Sequence, residues 1–139
     1  MIVLDTNVIS ELFRPLPNPR VVAWLESLSG EVAITAITAA ELLVGVRRLP
    51  GGRRQTQLAQ SVEAVLDQYR RLNAVLPFDV AAASHYAELV ANRKASGSPI
   101  SMADAEIAAI CRTHLATCAT RNVKDFQGTG VSTINPWEA

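Results

Sequence analysis

Two rhythms of apolar residues run along this chain. Short apolar runs fall at residues 2–5, 31–36, 74–78, 116–120 and 131–134. They are too brief for helices and suit strands covered on both faces of a sheet. Between them apolar residues return every three or four positions. Residues 7–13 read as a short helix stopped by Pro15, Pro17 and Pro19. Asn18 followed by Pro19 reads as an N-cap with proline in the first turn, opening a helix with Val21, Val22, Trp24, Leu25 and Leu28 on one stripe and an end near Gly30. Thr38 begins another, with Leu42, Leu43 and Val46 inward. The breaker LPGGRR near residue 50 precedes a long amphipathic helix over 54–72, striped by Leu58, Val62, Val65, Leu66, Tyr69 and Leu72. Asp79 caps a helix through Arg93, and KASGSP at 94–99 is a loop. Ser101 starts a helix whose stripe includes Ala105, Ile107, Ala108, Cys111 and Leu115. Strands alternating with helices predict a three-layer α/β domain around a mostly parallel sheet. No repeat or linker divides residues 1–139, so a single domain is expected.

Composition narrows the functional classes. Apolar residues make up 49% and charged residues 19%, a globular balance. Lys plus Arg number 13 and Asp plus Glu 13. No overall field therefore draws the chain to nucleic acid, and a polyanionic partner would need a local basic patch or metal ions. Cys111 and Cys118 have neither CxxC nor zinc spacing and read as reduced packing thiols of a cytoplasmic protein. Neither secretion nor membrane insertion is expected, because no basic segment leads into an apolar one and no run approaches 18 apolar residues.

Four acids stand apart from those on solvated helix faces. Asp5 ends the first strand, Glu41 lies in TAAELLVG after the second, Asp104 heads the helix in SMADAEIAA, and Asp125 follows the fourth strand in ATRNVKDF. Loops leaving the carboxyl ends of parallel strands converge at the point where strand order reverses, which is where ligands bind in such folds. Each acid also has a plainer reading. Thr38-x-x-Glu41 fits a capping box and Ser101-x-x-Asp104 its shorter analogue. Asp125 can be a turn residue, and Asp5 can cap the helix behind it. Taken together, carboxylates converging without a basic counterpart repel one another and demand protons or a cation. Oxygen donors with no Cys or His among them suit Mg²⁺ or Mn²⁺, and such ions serve phosphodiester hydrolysis. His85 and His114 are assigned to packing or surface. No Ser-His-Asp or Cys-His signature and no glycine-rich phosphate loop is present.

LDTNVISEL at 4–12, TAAELLVGV at 38–46, PISMADAEIAAI at 99–110, ATRNVKDF at 119–126 and NPW at 135–137 occur in an order that resembles the PIN-domain toxins of bacterial VapBC toxin–antitoxin modules, in particular the FitB branch. The resemblance covers essentially the whole chain. It implies a parallel sheet flanked by helices and a Mg²⁺-dependent endoribonuclease, with Asp5 and Asp104 as metal ligands and Glu41 completing the acidic cluster. A fourth family acid usually stands where this chain has Asn122. Asparagine keeps an oxygen but removes a charge, which Asp125 would then supply. Thr6, Asn7 and Thr120 would orient Asp5 and its surroundings.

The resemblance also implies a homodimer, RNA as substrate and no membrane. The partner would be a small DNA-binding antitoxin of the VapB or FitA kind, covering the acidic cleft with an arginine-bearing segment. Leu12, Phe13, Trp24 and Leu28 are the expected groove for it, or else simple core. Arg47, Arg48, Arg53 and Arg54 either contact RNA phosphates or are merely solvated. Two other readings compete: a catalytically weak PIN-like domain that only binds RNA or antitoxin, and a receiver-like phosphoryl-transfer domain. The latter lacks a second acid beside Asp5 and a clear acceptor aspartate.

Overall fold

The structure is a computed structural model describing residues 1–139. Five short strands form one parallel sheet: β1 (Ile2–Leu4), β2 (Val32–Thr35), β3 (Val75–Leu76), β4 (Thr117–Ala119) and β5 (Thr133–Ile134), in the spatial order β3-β2-β1-β4-β5. The registers set Val3 beside Ala33 and Cys118, and Cys118 beside Thr133. The chain builds outward from β1 to β3, then crosses back to the other side of β1 to lay down β4 and β5. Strand order therefore reverses between β1 and β4, and the carboxyl ends of these two neighbours border the crevice.

Period-two alternation within these strands produces the layers. Val3, Ala33, Leu76 and Cys118 face one core with Ala105, Ile107, Ala108, Cys111 and Phe126. Leu4, Ile34 and Ala119 face the other with Val8, Ile9, Val21, Leu42, Val62 and Leu66. Helices α5 (Val80–Ala95) and α6 (Met102–Thr113) cover the first face. Helices α1 (Thr6–Glu11), α2 (Pro19–Glu26), α3 (Ala36–Arg48) and α4 (Arg53–Arg71) cover the second. The middle of α6 is wholly apolar because Ala105 and Ile107–Cys111 are all buried, which small alanines allow by letting it lie close to the sheet.

Several boundaries move for physical reasons. Helix α3 starts at Ala36 rather than Thr38, because Thr35 at the end of β2 is the N-cap and its Oγ1 accepts from the Thr38 N–H at 3.1 Å. Asn18 and Asp79 cap α2 and α5 as their sequences suggest, through Arg20 and Ala82 N–H groups. Leu115 leaves the expected α6 stripe. The helix ends at Thr113, and Leu115 takes φ +52° and is 93% exposed. Leu43 and Leu72 are likewise on outer surfaces. The run after β4 contains a turn of 3₁₀ helix at Val123–Phe126 that periodicity could not reveal, since four residues carry no repeat. Its Phe126 is fully buried and fastens that turn to the core. Phe126→Ala should cost about 3–5 kcal/mol in urea denaturation, the usual penalty for emptying a buried aromatic site.

Candidate active site

Each acid singled out from the sequence has a distinct support. Asp5 directly follows β1 and is only 4% exposed. Its backbone N–H continues the sheet by donating to Ala119 O at 2.9 Å. Its carboxylate accepts from the Thr6 N–H at 2.8 Å through Oδ1, and from Thr120 Oγ1 at 2.8 Å and Asn7 Nδ2 at 3.2 Å through Oδ2. Asp5 is thus both the α1 N-cap and a carboxylate held in place from β4. Thr120 directly follows β4 and is fully buried. Its hydroxyl, having given its proton to Asp5, accepts the Asn122 N–H at 3.0 Å. Asn7 closes the ring by accepting the Arg121 N–H at 3.2 Å through Oδ1.

Glu41 reaches the site through hydroxyls. Thr6 Oγ1 donates to Glu41 Oε1 at 2.7 Å and lies 2.9 Å from Thr38 Oγ1. Thr6 has one proton, and the carboxylate takes it, so Thr38 must donate to Thr6. The row Thr38, Thr6, Glu41 therefore has a single direction. The capping-box reading of Glu41 fails, since it stands in the second turn of α3 and bonds a hydroxyl of α1. Asp104 is in the first turn of α6, where its N–H donates to the N-cap Ser101 Oγ at 3.2 Å. Its capping position is real, but its carboxyl also faces the other acids. Asp125 is exposed in the 3₁₀ turn, with its N–H bonded to Asn122 O at 3.0 Å. The Asn122 side chain makes no capping bond.

Electrostatics ties the four together. Burial, only partly offset by the Thr120 and Thr6 hydrogen bonds, raises the Asp5 carboxyl, and the charges of Asp104 and Glu41 raise it further. Asp104 is raised first by burial and then by Asp125 and Glu41, against the opposing effects of the Ser101 hydrogen bond and the Arg93 charge. The ion pairs of the molecule, Arg14–Glu11, Arg70–Glu63, Arg70–Asp67 and Arg112–Glu88, involve none of the four. No three His, Cys, Asp or Glu side chains are drawn together tightly enough to be a finished ligand group. What joins the acids is charge: Asp104 and Glu41 act on Asp5, and Asp125 and Glu41 act on Asp104. Cys118 lies close by, but its hydrogen bond with Cys111, its burial, and the Asp5 and Asp104 charges raise its thiol well above the usual range. Its side chain is fully buried in the first core.

Sequence pattern missed Glu11, an acid on the buried face of α1 and 4% exposed. Burial opposes its charge, yet the Asn18 N–H at 2.8 Å, its bonds to Arg14 and the charges of Arg14 and Arg121 outweigh that and hold it below the usual carboxylate range. Its placement three residues after the buried Val8 was the available signal. The residues expected to form a groove or simple core divide between the two. A cavity of about 730 Å³ is lined by Leu12 and Phe13 together with Leu42, Val46, Leu58 and Val62, and it runs up to Thr6 and Glu41. Trp24 packs instead against the second core. Arg47, Arg48, Arg53 and Arg54 near the Gly51-Gly52 turn are all exposed, and Arg54 also borders this cavity. No helix is long and apolar enough to cross a membrane.

A reversal of parallel strands with carboxylates gathered on it is the site of a PIN domain, and the chain belongs to that family, which matches residues 2–130. Among proteins it is similar to, Toxin FitB of Neisseria gonorrhoeae is 45% identical over 139 residues, covering 99% of both chains. VapC ribonuclease Y4jK of Sinorhizobium fredii is 44% identical over 140 residues, again covering 99% of each. The solved structure of FitAB bound to an IR36 DNA fragment superposes with a TM-score of 0.92 at 43% identity, covering 99% of this chain and 96% of that one.

The direction of the Asp104 shift fixes a stability test. A carboxyl raised in the folded state releases its proton later than in the unfolded chain, so stability falls as pH rises through that window. In the presence of chelator, Asp104→Asn should melt at a higher temperature than the parent at pH 7. The gap should narrow as pH falls and close below about 4, where the unfolded aspartate also becomes protonated. Calorimetry across that range checks it.

Proposed function

We propose that this protein is the toxin of a toxin–antitoxin pair, a Mg²⁺-dependent endoribonuclease that hydrolyses RNA phosphodiester bonds at the cleft formed by Asp5, Glu41, Asp104 and Asp125. The observation carrying this reading is a set of coupled carboxylates, two of them raised by burial and mutual charge, with no cation paired to any of them. The names of the relatives, a toxin and a VapC ribonuclease, support it.

The donor set fits a hard divalent ion. The four acids are oxygen donors, the Cys118 thiol is buried in the first core, and the unpaired carboxylates have charge to share. Asp5 and Asp104 are the proposed ligands, with Mn²⁺ able to substitute. When bound, such an ion supplies neutralisation of the phosphodiester and of the departing oxygen. The rest is the work of this chain. Thr120 and the Thr6 N–H lock the Asp5 carboxylate in one orientation. Thr38 and Thr6 aim Glu41 into the same cleft. The Asn122 backbone holds Thr120, leaving its amide side chain available to the cleft. Asp125 provides the negative charge that Asn122 lacks, consistent with its effect on Asp104. That charge also weighs against an inactive, purely binding PIN domain.

The largely apolar cavity between α1, α3 and α4 suits an apolar segment of a small DNA-binding antitoxin, since its lining also includes Thr6 and Glu41, where an arginine would find a carboxylate. The FitAB–DNA structure supports a partner of this kind.

Two experiments test the chemistry. Asp5→Asn and Asp104→Asn should each reduce RNA cleavage to the level seen with chelator while circular dichroism stays unchanged. Full activity in the double variant would refute the metal-nuclease reading. Asp125→Ala should lower the cleavage rate on the order of 10- to 100-fold, and more than Asn122→Ala does. The reverse order would make Asn122 the ligand.

A further inference from the structure

Near the end of α5, three backbone carbonyls from two separate segments converge on one guanidinium. Arg93 Nε donates to Ser98 O at 2.6 Å, in the turn that leads into α6. Its Nη1 donates to Asp125 O at 2.8 Å and to Gln127 O at 2.9 Å, in and just after the 3₁₀ turn that follows β4. The side chain is half-buried and takes part in no ion pair, so its fork is committed to carbonyls. The stem of Arg93 also packs beside Gly128. Gly128 has φ +74°, and a Cβ there would meet Arg93 Cδ at 3.6 Å.

The two segments so joined are the ones that bear Asp104 and Asp125. Ser98 is three residues before Ser101, whose hydroxyl caps α6 at the Asp104 N–H. The Asp125 backbone carbonyl is itself one of the acceptors. Like charges on neighbouring segments push apart, and the 3₁₀ turn has only four residues with which to resist. A planar fork that binds both segments at once opposes that separation with geometry rather than with charge alone. Lysine keeps the stem and the charge but not the fixed fork.

We propose that Arg93 is a positioning residue for the nuclease reaction, setting the spacing of Asp104 and Asp125 by tying the turn before α6 to the turn after β4. This rests on the nuclease reading given above. Parent, Arg93→Lys and Arg93→Gln proteins are compared in steady-state cleavage of a fluorogenic RNA with Mg²⁺. Mn²⁺ affinity is measured without RNA by electron paramagnetic resonance. The expected result for Arg93→Lys is a folded protein with kcat down about 10-fold or more, KM within about twofold, and Mn²⁺ affinity weakened by about 10-fold. If Arg93→Gln does not fold, Arg93→Lys decides alone.

Unchanged kcat and Mn²⁺ affinity, even with a lower melting temperature, would overturn the proposal and leave Arg93 a structural pin. A rise in KM alone would overturn it in favour of direct RNA contact. A parent protein that cleaves no RNA with any divalent ion overturns the nuclease reading and this role with it. A parent that cleaves normally beside an unaffected Arg93→Lys overturns only the role of Arg93.

Discussion

Burying Asp5 at the end of β1 is the constraint around which the rest of the molecule is arranged. A desolvated carboxylate is costly unless its oxygens are satisfied, and here three donors meet that need without cancelling its charge: the Thr6 N–H, Asn7 Nδ2 and Thr120 Oγ1. Hydrogen bonds favour the ionised form while burial and neighbouring acids oppose it, and the balance leaves the carboxyl raised. A cationic side chain would have relieved that tension more fully. The cleft instead keeps the charge unpaired, which makes the local fold less stable and leaves the site receptive to cations.

That arrangement depends on topology. Thr120 reaches Asp5 because β4 pairs directly with β1, and β4 takes that place only because the chain crosses back after β3. Parallel pairing puts the ends of both strands on one edge of the sheet. The apolar α6 then brings Asp104 in from a helix start, and Thr35 ends β2 so that α3 can present Thr38 and Glu41. Glu11 shows the contrasting solution within the same helix as Thr6. It is equally buried, but with Arg14 and the Asn18 N–H upon it, it remains readily ionised and serves the structure. Two acids six residues apart are thus shifted in opposite directions, Asp5 by burial and neighbouring acids and Glu11 by its hydrogen bonds and the charges of Arg14 and Arg121.

The cleft also has a rigid side and a lightly held side. Asp5, Thr120 and Thr38 are buried and locked by short hydrogen bonds, whereas Asp125 is on an exposed 3₁₀ turn. Phe126 fastens that turn from below and Arg93 from the side. Asp125 acts on Asp104 by charge from this exposed turn, so the contacts that hold the turn also bear on Asp104.

Sequence alone determined the alternation of strands and helices, because burial on both faces forces continuous apolar runs and burial on one face forces a helical stripe. It also marked Asp5, Glu41, Asp104 and Asp125, since acids beside apolar runs stand out against the solvated faces. The tertiary structure decided what those patterns leave open. Thr35 rather than Thr38 caps α3, because the cap depends on where β2 ends. Leu115 turns outward, because α6 stops two residues short of it. The cavity follows α3 and α4 rather than Trp24, because packing between helices distant in sequence defines it. The roles of Glu11 and Arg93 were decided in the same way: they lie in partners such as Asn18 and Gln127, which only folding brings to them.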